Sequence, residues 1–113
     1  ATNEMGCFRV YPGLHKLGRC EGMMGGGQNA EITEKYPIEG ATVLEAEPGD
    51  VVFFSYFMLH GSMPNRSTKT RKTVLVQMYA GDDEVEAGNR HTNVRLVLRG
   101  WNHRATRSVA GRI

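Results

Sequence analysis

The chain has 113 residues, 14 of them Lys or Arg against 12 Asp or Glu for a formal charge of +2, with 40% hydrophobic residues and 14 glycines. A chain of this size can bury roughly two thirds of the surface its unfolded form exposes, which allows one packed domain and leaves no room for two. The uncharged run Val51 to Asn65 is too short to span a bilayer and contains His60, Ser62 and Pro64, so no membrane role is expected.

Helix periodicity is weak, whereas short β-prone runs bounded by glycine and proline recur, which favours an all-β domain. The first strand is expected over Cys7 to Tyr11, stopping at Pro12-Gly13, a pair that supplies the fixed and positive φ of a tight turn. Glu21 to Ala30, with Gly25-Gly26-Gly27 and two adjacent methionines, reads as a loop. No lysine and serine follow those glycines, so a phosphate cradle is disfavoured against a mobile loop. Thr42 to Ala46 is the next strand. The turn Glu47-Pro48-Gly49-Asp50 follows, then a strand from Val51 to about Tyr56, a hairpin-like unit in which Phe53, Phe54, Tyr56 and Phe57 serve as core and edge residues. Residues Pro64 to Thr70 form a turn or loop, and Arg71 to Tyr79 returns as a long strand. Val94, Leu96 and Leu98 alternate with Arg95, Val97 and Arg99, the period of a half-exposed strand. Five or so strands with long links suggest part of a β-sandwich or jelly roll, which needs about eight.

Across the last 28 residues Arg90, Arg95, Arg99, Arg104, Arg107 and Arg112 face only Glu86, which suggests a basic C-terminal surface, and residues 91–113 are expected to form a basic tail that includes a candidate last strand. With Trp101 as its lone aromatic platform, that tail does not make nucleic acid an expected partner. Cys7 and Cys20 form no disulfide scaffold, so a reducing cytoplasm is the expected location. Ala1 is not a start methionine and no signal-like segment precedes the first strand, so the chain is expected to begin inside a longer protein.

The histidines are His15, His60, His91 and His103, and two residues beyond them stand Leu17, Ser62, Asn93 and Ala105. The chain therefore lacks the His-x-Asp or His-x-Glu element that commonly opens a ferrous two-histidine, one-carboxylate site. Zinc readings also fail, because Cys7 and Cys20 have no Cys-x-x-Cys spacing or clustered histidine. His60 stands apart. It follows an apolar run, precedes Gly61, and is joined by a loop to Arg71, so the two side chains are expected on neighbouring strands roughly 5 Å apart. That arrangement suits an oxoacid, which chelates a metal through one end while its distant carboxylate meets the planar guanidinium fork, with Ser62 as an additional donor. Plainer readings are a hydrogen-bonded structural histidine and a surface arginine beside Lys69 and Lys72. His15 reads as a structural residue of the turn after the first strand. Gln77 and Tyr79 share strand parity with Arg71 and either face the same cavity or pack in the core.

The residues Gly6 to Lys16, then Glu47 to Phe54, then Leu59-His60-Gly61-Ser62 with Pro64-Asn65-Arg66-Ser67 and Arg71, resemble in that order the phytanoyl-CoA dioxygenase family. The resemblance covers residues 6 to about 80. It implies an iron(II)- and 2-oxoglutarate-dependent oxygenase acting with O2 on a small-molecule substrate, on a double-stranded β-helix, a cupin-like jelly roll. It further implies that His60 is the distal iron ligand, Arg71 the clamp for the distal carboxylate of 2-oxoglutarate, and Ser62 its helper, with no other catalytic residue. Leu14 stands where the family commonly has Ser or Thr, and the family's His-x-Asp element would lie before Ala1. The whole of residues 1–113 is thus expected to be one partial domain, the C-terminal part of such a fold without its N-terminal half. In isolation it is expected to be inactive and to self-associate. The alternative is a non-catalytic anion- or oxoacid-binding module on the same scaffold.

Overall fold

A computed structural model describes residues 1–20, 29–84 and 96–102, and divides the chain into two compact units, Ala1–Thr73 and Val74–Ile113. The first unit is built on a three-stranded antiparallel sheet whose strands are β1 (Phe8–Val10), β2 (Thr42–Leu44) and β3 (His60–Ser62), in the order β2-β1-β3. Phe8 lies opposite Leu44 on one side and Ser62 on the other, and Val10 opposite Thr42 and His60. Since directly opposed residues share a face, Phe8, Val10, Thr42, Leu44, His60 and Ser62 make one face of the sheet, and Arg9, Val43 and Gly61 the other. The bond from the Tyr11 amide to the Leu59 carbonyl (3.0 Å) continues the β1–β3 pairing. At the far end of β2 the Ala46 amide donates to the Ala1 carbonyl (2.9 Å), and the Ala1 ammonium donates back to Ala46.

The expected first and second strands form, each shorter than its apolar run. The turn Glu47 to Asp50 forms as well: the Asp50 amide donates to the Glu47 carbonyl (3.1 Å), the Glu47 amide to Asp50 Oδ2 (2.9 Å), and Gly49 takes φ 102° after Pro48. That is type II turn chemistry. It does not close a hairpin, because Val51 to Tyr56 is not a strand and β2 pairs with β1 instead. Tertiary pairing with Phe8–Val10 outcompetes the local return, and Val51, Val52, Phe53, Tyr56 and Phe57 stay exposed. Arg71 to Tyr79 is not a strand either, so β propensity there is unmatched by a pairing partner among the described residues. Of the expected strand Val94 to Arg99, Leu96 to Leu98 are not in a strand, and Val94 and Arg95 lie outside the described residues. The Glu21 to Ala30 loop also lies largely outside them.

One element was not foreseen, the helix α1 (Ala30–Lys35), too short to show periodicity. Its start is set locally: the Asn29 side chain accepts from the Ile32 amide (3.2 Å), a cap worth about 1 kcal/mol. Its end is held to β1, because Tyr11 packs edge-on against Tyr36 (5.4 Å) and donates its hydroxyl to the Pro37 carbonyl (2.7 Å). Among the described residues the connection between β1 and β2 also contains the 3-10 turns Leu14–Leu17 and Ile38–Gly40. Beneath the sheet Arg9 gathers that connection, donating to the carbonyls of Ile38 (3.2 Å) and Glu39 (3.0 Å) and to Asn3 Oδ1 (2.8 Å). Among the described residues the buried hydrophobic ones are Cys7, Val10 and Ala41, all beside or within these strands. No described helix is long and apolar enough to cross a membrane.

Gly6 locks the start of β1 to the end of β3. It takes φ +67°, and a Cβ there would stand 2.0 Å from the Met63 backbone oxygen. Gly6→Ala is expected to destabilise the chain by roughly 2 kcal/mol or more, from backbone strain plus a clash with an atom that cannot swing away. Gly49→Ala, with open space around it, should cost only the conformational strain of about 1 kcal/mol; the two urea midpoints measure the difference. In the 113-residue chain, β3 is paired on one side only among the described residues, next to the exposed apolar run after Gly49. Such an edge templates association, so at micromolar concentration the isolated chain is expected to sediment as a dimer or larger, with little monomer.

Candidate functional site

His60 opens β3 on the face that carries Phe8 and Val10. Its ring centroid stands 5.1 Å from that of Phe8 and 5.1 Å from that of Phe54, which are 5.0 Å from each other, so three aromatic rings meet in a triangle. His60 Nδ1 lies 2.7 Å from the Met58 carbonyl oxygen. A carbonyl only accepts, so the partner assigns the hydrogen to Nδ1, and in the neutral imidazole Nε2 then keeps the lone pair. A metal-binding histidine is commonly oriented by such a bond to its other nitrogen.

Ser62, two residues on, projects from the same face, opposite Phe8. Arg71 reaches it from nine residues downstream: Nη2 donates to Ser62 Oγ at 3.5 Å. At that length the two groups bind each other weakly, and their donors converge where one carboxylate could accept from both. Arg71 is half-buried, whereas its neighbours Lys69 and Lys72 are exposed. The expectation that Arg71 opens a neighbouring strand is corrected, because it stands in an irregular segment and a folded loop brings it back.

That loop is held by Asn65. Its Oδ1 accepts from the Ser67 amide (2.9 Å) and Ser67 Oγ (2.7 Å), and its Nδ2 donates to the Lys69 carbonyl (2.7 Å). Ser67 Oγ accepts in turn from the Lys69 amide (3.2 Å). Such side chains bond their own backbone two residues on, so the Asn65-x-Ser67 spacing itself carried the signal for this staple. The Arg66 amide donates to the Glu4 carbonyl (2.9 Å), tying the loop to the start of the chain, and the Arg66 side chain is exposed.

The structure therefore sets Arg71 against Ser62 and places His60 on the same strand face as Ser62, with Phe8, Phe54 and the Met58 carbonyl around His60. Gln77 and Tyr79 belong to the second unit, exposed and outside any strand, so the strand parity on which they were chosen is absent. His15 sits in the 3-10 turn after β1 as expected, with a buried Nδ1 that has no hydrogen-bond partner among the described residues. His91 and His103 lie outside the described residues. Cys7 and Cys20 are free thiols. Among the described residues no group of three or more His, Cys, Asp and Glu is placed to hold a metal ion.

A family profile described as "Phytanoyl-CoA dioxygenase (PhyH)" matches residues 1–73, the same span as the first compact unit. A Caenorhabditis elegans protein named "Probable phytanoyl-CoA dioxygenase" is 36% identical over 88 residues, covering 73% of this chain and 28% of that protein. The chain thus spans little more than a quarter of the curated relative. No solved structure matches it significantly.

Replacing Asn65 by Ala removes the hub of the loop. The Ser67 and Lys69 amides should then exchange with solvent about tenfold faster, corresponding to roughly 1 to 1.5 kcal/mol of lost local stability, as read by hydrogen exchange.

Proposed function

The chain belongs to the phytanoyl-CoA dioxygenase family, and from that premise we propose that it is part of an iron(II)- and 2-oxoglutarate-dependent dioxygenase with the fold of a double-stranded β-helix. The observation that carries this reading is the convergence of Arg71 and Ser62 beside His60 on one sheet face.

Each residue has a chemical task in it. His60 offers Nε2 as one iron ligand, since Nδ1 is committed to the Met58 carbonyl. The other two protein ligands of a two-histidine, one-carboxylate site come from outside the described residues. Arg71 and Ser62 receive the distal carboxylate of 2-oxoglutarate, two oxygens matched to a planar fork and a hydroxyl. His60 and Ser62 are two residues apart on one face, about 7 Å along a strand, a separation a five-carbon dicarboxylate can bridge. Phe8, opposite Ser62 on the neighbouring strand and with its ring 5.1 Å from that of His60, offers an apolar flank for the methylenes of the co-substrate. Bound iron and 2-oxoglutarate supply the oxidation, in which one oxygen atom of O2 enters a substrate C–H bond as hydroxyl while 2-oxoglutarate loses CO2 and becomes succinate.

In the full-length protein, Arg71→Ala should raise the 2-oxoglutarate requirement steeply, because one partner of a desolvated charge pair is lost at about 2 to 5 kcal/mol. Arg71→Lys should recover only part of it, the fork being gone. Succinate formation titrated against 2-oxoglutarate measures both. Equal requirements in wild type and Arg71→Ala would move the clamp elsewhere, with Arg66 next to test. Oxoacid binding that ignores iron(II) and yields no succinate would instead make the chain a non-catalytic anion-binding module.

A further inference from the structure

We propose that Phe54 and Phe8 are positioning residues for His60: together they pack against one side of its imidazole so that Nδ1 stays on the Met58 carbonyl and Nε2 is the atom presented for coordination. The inference rests on the reading of His60 as a metal ligand, and it concerns how this chain prepares that ligand.

The first observation is the ring triangle, with centroid separations of 5.0 to 5.1 Å and interplanar tilts of 43°, 44° and 58°. Such tilted contacts are favourable for aromatic pairs and depend on orientation, so they resist rotation of the ring about Cβ–Cγ. A half-turn of the imidazole would set Cδ2 against the Met58 carbonyl and forfeit the 2.7 Å bond, while carrying Nε2 to the opposite edge. Burial cannot do this work, because His60 itself is exposed. An exposed imidazole held by one short-range bond would be open to competition from water, and the two phenyl rings stand against one side of it.

The second observation is independent of His60. Of residues 51–57, all are exposed except Phe54; Phe53, its neighbour, is 81% exposed. An apolar run that leaves nearly all its side chains in solvent turns one inward, and that one meets the histidine. Phe8 arrives by a separate route, since its position on β1 opposite Ser62 is set by the strand register, and its ring leans along the sheet to His60. Two elements far apart in sequence thus supply rings to the same imidazole.

The test reads the tautomer directly. In the full-length protein labelled with 15N at histidine, long-range 15N–1H spectra of neutral His60 should show the Nδ1–H form as the main species. Phe54→Met, which keeps volume without a ring, and Phe8→Leu should each lower the Nδ1–H to Nε2–H ratio about threefold or more and weaken Co(II) binding about tenfold. Phe54→Tyr should restore both. Amide spectra of β1 and β3 verify that each variant is folded, and a purely packing role would leave the ratio unmoved. A wild-type His60 protonated on Nε2 overturns the proposal whatever the variants do, as does an unchanged ratio in either folded variant. Failure of the dioxygenase reading looks different: the tautomer responds to Phe54 and Phe8 while 2-oxoglutarate is never consumed.

Discussion

The structure depends on β1 being paired on both sides. Phe8, Arg9 and Val10 are only three residues, but they set the register of β2 and β3 at once, and strand alternation then decides what every neighbour faces. Phe8 and Val10 direct His60 and Ser62 to their own side. Arg9 takes the other side, where its guanidinium gathers the Ile38 and Glu39 carbonyls. The register is pinned by size as well. Gly61 lies opposite Arg9 with Ile38 so close that a Cβ would sit 2.9 Å from Cδ1, and a slip by one residue would push His60 or Ser62 into that space.

On the opposite face the same constraint sets an imidazole and a hydroxyl on one side of the sheet. His60 and Ser62 are fixed at strand spacing, and what remains is to orient the first and to bring a cation to the second. Local bonds and distant packing share the task. The Met58 carbonyl is two residues from His60, and the Asn65 staple folds the chain within a few residues, so both involve little loop entropy. Phe8 and Phe54 are long-range partners whose contacts exist only when β1 and the segment after Gly49 are in place.

Legibility followed the range of the interaction responsible. Cys7 to Tyr11 could be read as a strand because alternation and the Pro12-Gly13 stop are local, and Glu47 to Asp50 as a turn because proline and glycine occupy its two central positions. The strands expected at Val51 to Tyr56 and Arg71 to Tyr79 failed for the complementary reason: propensity describes a residue's comfort in a pleated sheet, not whether a partner strand reaches it. Helix α1 escaped notice since six residues hold too few turns for a period, although Asn29 is an apt cap.

By itself the sequence determined the family and the short-range turns, because order, spacing and side-chain type are properties of the chain alone. It singled out His60, Ser62 and Arg71, and with them a fork, a hydroxyl and an imidazole suited to an oxoacid and a metal. Only the tertiary structure decided that Arg71 meets Ser62 from an irregular loop, that β2 pairs with β1 and not with the residues after Gly49, and that Phe54 alone of its run turns to His60. Those outcomes are settled by competition among long-range pairings, in which each backbone and ring has one place to go and the winning partner is remote in sequence.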